Sequence, residues 1–237
     1  MAAFRTQDYI FWHMIKTGGS WVQRVMVKLL EAERVNGVRQ HGPIEILPGD
    51  VRGQRKVFGT HRDAWSWYTS LYQHSYGSYD GGNPKLKRWG NGSSTFKDVI
   101  YGMTHPQEVQ HLEDDFLCVY RFKENGLQLR DDVLKSDVGL FTWTTRWSFG
   151  HPIQIDLLLE TGRINEALGE LFGRNIRRDS WPPQNAATHR PETAFGDPRS
   201  MWDDEMISWV READEEGNSL MGFEEPWGQA RSLIVEL

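Results

Sequence analysis

The sequence predicts an α/β fold, a central parallel sheet flanked by helices, in a single domain over residues 1–237. Two local patterns carry that expectation. An apolar run over residues 8–14 passes through a glycine turn into a helical pattern over 19–34, and a second run over 56–60 passes through His61-Arg62-Asp63 into a helical pattern over 64–74. A third pair follows, with Ile153–Leu159 as a strand ending at Glu160 and a helix from Arg163 to Phe172 that stops at Gly173. Strands alternating with helices imply crossover connections, which lay the strands parallel.

The elements justify themselves in order. In the first helix Val22, Val25, Met26, Leu29 and Leu30 recur at helical spacing, and Asn36-Gly37 ends it. Residues 77–95 are rich in glycine, serine and asparagine and read as a mobile loop. Across 96–150 the pattern is weaker: Phe96–Tyr101 is helical, and Phe116–Phe122 fits strand or buried helix. Residues 179–198 are proline-rich and irregular, and a last helix over 201–214 opens with Asp203, Asp204 and Glu205, suited to the positive end of a helix.

Composition bounds the function. With 38% hydrophobic and 25% charged residues the chain reads as a globule large enough to bury a core. A net charge of -6 argues against a general nucleic-acid surface, which needs a basic stripe to displace counterions. The single cysteine, Cys118, excludes an internal disulfide framework. Arg5, Gln7 and Asp8 precede an apolar run too short for a secretory signal or a membrane span, so a cytoplasmic chain is expected. His13, His74, His105, His111, His151 and His189 show no metal-ligand spacing, and no metal is expected. Trp65, Trp67, Trp89, Trp143, Trp147 and Trp181 are candidates for lining an acceptor site, though packing is the commoner use of tryptophan.

The chemistry concentrates at Lys16-Thr17-Gly18-Gly19-Ser20-Trp21, between the first strand and its helix. Glycines let backbone N–H groups approach an anion, the helix N-terminus adds partial positive charge, and Lys16 adds a full one, so the segment predicts a cradle for a phosphate-like group. The nucleotide P-loop G-x-x-x-x-G-K-[ST] does not match, because here the lysine precedes the glycines. His61-Arg62-Asp63 is not a kinase catalytic loop either, since its asparagine position is Tyr68. Arg62 stands at the second strand–helix junction. Two such junctions at one edge of a parallel sheet face one pocket.

In these segments the chain resembles the sulfotransferases that use 3′-phosphoadenosine 5′-phosphosulfate. Lys16-Thr17-Gly18-Gly19-Ser20 is similar to their 5′-phosphosulfate loop, with Trp21 matching the K-S-G-T-T-W version. The segment from Arg62 to Tyr72 resembles the 3′-phosphate motif R-[ND]-P-x-x-R-x-x-S-x-Y. Arg62, Ser70 and Tyr72 are in register, while Ala64 replaces the proline and Trp67 the second arginine. Arg39-Gln40-His41-Gly42-Pro43 with Leu47-Pro48 resembles the K-x-H-x-P-x-x-x-L-P segment. Asp156–Glu160, Leu171-Phe172-Gly173 and Asn185–Arg190 resemble later family stretches more loosely. The resemblance covers residues 8–75 and, loosely, 150–222, leaving the middle unmatched.

The resemblance implies a P-loop-like sulfotransferase architecture and sulfuryl transfer to an acceptor hydroxyl or amine. In that reading Lys16 and the amides of Thr17, Gly18, Gly19 and Ser20 stabilise the leaving phosphate, and His41 is the general base. Trp21 stacks on the adenine, Arg62 and Ser70 hold the 3′-phosphate, and Arg190 is a third phosphate ligand. The acceptor is a small molecule or a carbohydrate, met by the loop at 77–95 and by a variable, acceptor-side region over 96–150. Two other readings stay open: a P-loop-type phosphotransferase using ATP with magnesium, and a nucleotide-binding module without turnover, which the departures at Ala64 and Trp67 allow.

Overall fold

A computed structural model describes residues 3–38, 42–77, 84–110, 112, 126–176 and 197–237. The described residues of Met1–Asp63, Thr144–Gln184 and Asn218–Leu237 form one compact unit, and those of Ala64–Trp143 and Asn185–Gly217 a second. The fold is α/β, with one six-stranded sheet and ten α-helices among the described residues.

The sheet belongs to the first unit and runs β3-β1-β2-β4-β5-β6, where β1 is Ala3–Arg5, β2 Tyr9–Trp12, β3 Glu33–Arg34, β4 Lys56–His61, β5 Leu157–Glu160 and β6 Ile234–Glu236. It is mixed rather than parallel, which corrects the expectation. Only β2, β4 and β5 are parallel, with Ile10 opposite Val57 and Phe58 opposite Leu157. β1 pairs antiparallel with both β2 and β3, and β6 pairs antiparallel with β5. The three parallel strands are those visible as apolar runs, as strands covered on both faces must be.

Helix α1 (Gly19–Leu29) buries Val22, Val25 and Met26. With Phe4, Phe11, Phe58, Leu157, Leu159 and Ala167 and Leu168 of α8 (Ile164–Phe172) they build the core. The helix is shorter than its hydrophobic spacing suggested. Glu31 turns into the left-handed region at φ 50°, Ala32 donates back to the Met26 carbonyl, and the chain leaves as β3. Gly173, at φ 60°, ends α8 in the left-handed conformation that glycine adopts without a Cβ penalty. Gly59 leaves room on the sheet for the Phe149 ring, which a Cβ would meet at 2.7 Å.

The second unit is helical: α3 (Ala64–Gly77), α4 (Pro84–Trp89), α5 (Phe96–Thr104), α6 (Gly126–Leu134), the start of α7 (Leu140–Phe149) and α9 (Asp204–Ala213). The short α2 (Gly49–Arg52) lies in the first unit, and α10 (Glu215–Ser219) follows α9. Part of the expected 77–95 loop is therefore helix, begun by Pro84 at a position where a missing N–H costs nothing. Trp65, Trp67 and Trp89 are buried here, so their rings pack the core. Trp181 and Phe116–Phe122 lie outside the described residues. Asp203 caps α9 by accepting the Met206 N–H at 2.9 Å.

At the centre of this unit lies a buried acid. Asp214 accepts the Tyr68 hydroxyl at 2.7 Å and the Thr142 N–H at 2.8 Å, and Tyr68 in turn accepts the Phe141 N–H at 3.1 Å. Burial pushes the Asp214 carboxyl up to about 6, against these hydrogen bonds that favour its ionised form. Gly139 is required beside it, since a Cβ there would lie 2.5 Å from the carboxylate. No helix among the described residues is long and apolar enough to cross a membrane.

Candidate anion site

The parallel strands β2, β4 and β5 end at one edge of the sheet, and the residues that follow them assemble the site. After β2 the chain makes a tight loop in which Lys16 (φ 62°) and Gly18 (φ 74°) are left-handed, and Gly18 then caps α1. Thr17 between them is buried, its hydroxyl 2.9 Å from the Met14 carbonyl and 2.8 Å from the Thr60 hydroxyl on β4. Gly19 is pressed against the imidazole of His13, which a Cβ would overlap. His13 is itself buried and stacked on Phe11.

Arg62 directly follows β4, and its guanidinium donates to the Lys16 carbonyl at 3.1 Å. Thr161 directly follows β5. Its hydroxyl donates to the Thr17 carbonyl at 3.1 Å, and its N–H donates to the His61 carbonyl at 2.8 Å. Among the described residues no side chain caps α1, and the N–H groups of Trp21 and Val22 return to the Gly18 carbonyl. The amides of Thr17, Gly18, Gly19 and Ser20 meet no acceptor among the described residues. Four consecutive donors without a protein acceptor among the described residues, at the head of an eleven-residue helix, suit an anion.

The charges reinforce this. Burial, and then the nearby Arg62, lower the Lys16 ammonium to about 7, and no carboxylate among the described residues pairs with it. Burial also lowers Arg62, opposed by the attraction of Asp63. Asp63 is buried and accepts the Trp227 N–H at 3.4 Å. Two desolvated cations side by side repel each other, and a bound anion would relieve both.

Around this centre several further side chains are held by protein partners. Glu160, buried at the end of β5, is clasped by Arg163 at 2.6 Å, and Arg163 also donates to the Ala230 carbonyl at 3.1 Å. The His61 imidazole is held down at about 3 by burial and stacks on Phe223, so it stays neutral at physiological pH. Trp21, half-buried, donates its indole N–H to Asn165 of α8 at 2.7 Å.

Of the residues expected from the sequence, Lys16, Thr17, Gly18, Gly19, Ser20 and Trp21 cluster at the head of α1, and Arg62 joins them through the Lys16 carbonyl. Ser70 lies on α3 of the second unit, half-exposed. Tyr72, in register with the same motif, donates to the Ser94 carbonyl at 2.9 Å and packs edge-on against Phe96. His41, Arg39 and Arg190 lie outside the described residues. Sequence reasoning passed over Thr60, Thr161 and Asn165, and weighed His13 only as a metal ligand. The one signal for Thr161 was its place immediately after a strand end, the position Arg62 holds on β4. Comparison with protein-family models, with curated proteins and with solved structures gives no match.

Proposed function

We propose that this chain is a sulfotransferase of P-loop-like architecture that uses 3′-phosphoadenosine 5′-phosphosulfate. The observation that supports it is the pair of part-buried cations, Lys16 and Arg62, at a glycine turn whose amides meet no acceptor, and whose lysine meets no acid, among the described residues. The resemblance of Lys16–Trp21 and Arg62–Tyr72 to the family's phosphosulfate and 3′-phosphate segments supplies the rest.

In this reading the S–O bond to the donor phosphate breaks while a new S–O or S–N bond forms to the acceptor, and the acceptor proton passes to His41. The negative charge left on the phosphate oxygen is met by Lys16 and the loop amides, donors already aimed before the reaction begins. Arg62 spends one donor on the Lys16 carbonyl and keeps the others for the 3′-phosphate. Trp21, steadied by Asn165, offers a face to the adenine.

Calorimetry with adenosine 3′,5′-bisphosphate and with ATP, followed by transfer of labelled sulfate to a panel of sugars, phenols, sterols and amines, tests the proposal. Tight binding of the bisphosphate, weak binding of ATP and transfer to at least one acceptor are expected. Preference for ATP with magnesium overturns it in favour of a phosphotransferase. Bisphosphate binding with no transfer to any acceptor leaves a binding module.

A further inference from the structure

We propose that Thr161 is a positioning residue for the anion loop: by holding the Thr17 carbonyl, its hydroxyl aims the Gly18 N–H at the bound anion. The inference rests on the reading of this loop as an anion site and adds a residue that neither the lysine-glycine turn nor the arginine segment contains.

In a trans peptide the carbonyl and the N–H of the same plane point in opposite directions, so tethering one fixes the other. Three carbonyls of the loop are tethered by side chains: Met14 by the Thr17 hydroxyl, Lys16 by Arg62 and Thr17 by Thr161. Capture of the Lys16 carbonyl turns the Thr17 N–H away from Arg62, and capture of the Thr17 carbonyl turns the Gly18 N–H away from Thr161. Both amides end among the donors that lack a protein acceptor in the described residues.

Thr161 is well placed to be the tether. It follows β5, whose register against β4 sets Glu160 opposite His61, and its own N–H is locked on the His61 carbonyl at 2.8 Å. Its methyl group fills the space over Gly18, where a Cβ would lie 3.1 Å from it. The hydroxyl and the methyl therefore do separable things, one directing a peptide plane and the other packing against a glycine.

Binding of inorganic phosphate and of adenosine 3′,5′-bisphosphate to the full chain, measured by calorimetry, separates them. Thr161→Val keeps the shape and loses the hydroxyl, and is expected to weaken both ligands by a similar factor of about five to ten, the worth of one net hydrogen bond. Thr161→Ser keeps the hydroxyl and should stay within about twofold of wild type. Wild-type affinity in Thr161→Val, or equal weakening in both variants, overturns the inference while leaving the anion site standing. If the valine variant fails to fold, the amide resonance of Gly18 decides: it should shift on phosphate saturation in wild type and in Thr161→Ser alike. A Gly18 amide that does not move overturns the inference. Failure of wild type to bind either ligand removes the anion reading itself, and this inference with it.

Discussion

The Arg62 guanidinium donates to the backbone carbonyl of Lys16, so a residue forty-six positions downstream both braces the loop and adds the second positive charge to it. Lysine at this position keeps the charge but not the planar fork that can hold a carbonyl and face an anion at once. Arg62→Lys should therefore weaken binding of adenosine 3′,5′-bisphosphate by about tenfold or more, since hydrogen bonds to charged groups are the stronger class. Titration calorimetry reads the change, and wild-type affinity in the lysine variant would show that charge alone suffices.

Lys16 should take up a proton when the anion binds. Its ammonium is lowered from 10.5 to about 7 by burial and by Arg62, so above neutral pH the free protein carries it largely uncharged. An anion favours the charged form and raises the value again. The sign for the ligand-free fold follows: the folded state holds fewer protons than the unfolded chain between about 7 and 10.5, so this group makes stability rise with pH across that window. Calorimetry at pH 8.5 in two buffers of different ionisation enthalpy should show net proton uptake on binding, and Lys16→Arg should abolish it. Binding without uptake in the wild-type protein contradicts this account.

Gly19→Ala should destabilise the fold by about 1–3 kcal/mol, as overpacking does, because the new methyl meets the His13 imidazole. The same substitution in a His13→Ala background should cost far less. Urea unfolding of the two single variants and the double variant gives the coupling; simple additivity would mean that the ring moves aside freely.

Asp214→Asn is expected to change the pH dependence of stability. Because burial raises this carboxyl to about 6, its contribution is fully present below its ordinary value of 3.8 and is lost as pH rises through about 6. Asparagine has no such titration and keeps an acceptor for the Thr142 N–H. The variant should thus gain on wild type in denaturant midpoint between pH 4 and pH 7. A stability difference constant over that range would place the titration elsewhere.

The strand, glycine turn and helix that carry Lys16 were legible in the sequence because all their parts are local: an apolar strand, a lysine, two glycines and an amphipathic helix in one continuous stretch. The strands β2, β4 and β5 were legible because burial on both faces leaves an apolar run, while β1, β3 and β6 have two or three residues each and carry no period to read. The overlong first helix had a similar cause. Its apolar spacing continues to Leu30, but the left-handed Glu31 reverses the chain so that β3 can pair with β1. Thr161 was hidden for another reason. Its partner is a backbone carbonyl 144 positions away, and no residue type at Thr17 announces such a bond.

The order of strands has a consequence for behaviour at high protein concentration. Among the described residues the sheet terminates on one side in Glu33 and Arg34, both exposed and charged, and on the other in a three-residue strand ending at the exposed Glu236. Such stubs offer too few unpaired backbone groups, and too much charge, for a neighbouring molecule to add its own strand, so fibril-like polymerisation through these margins is disfavoured.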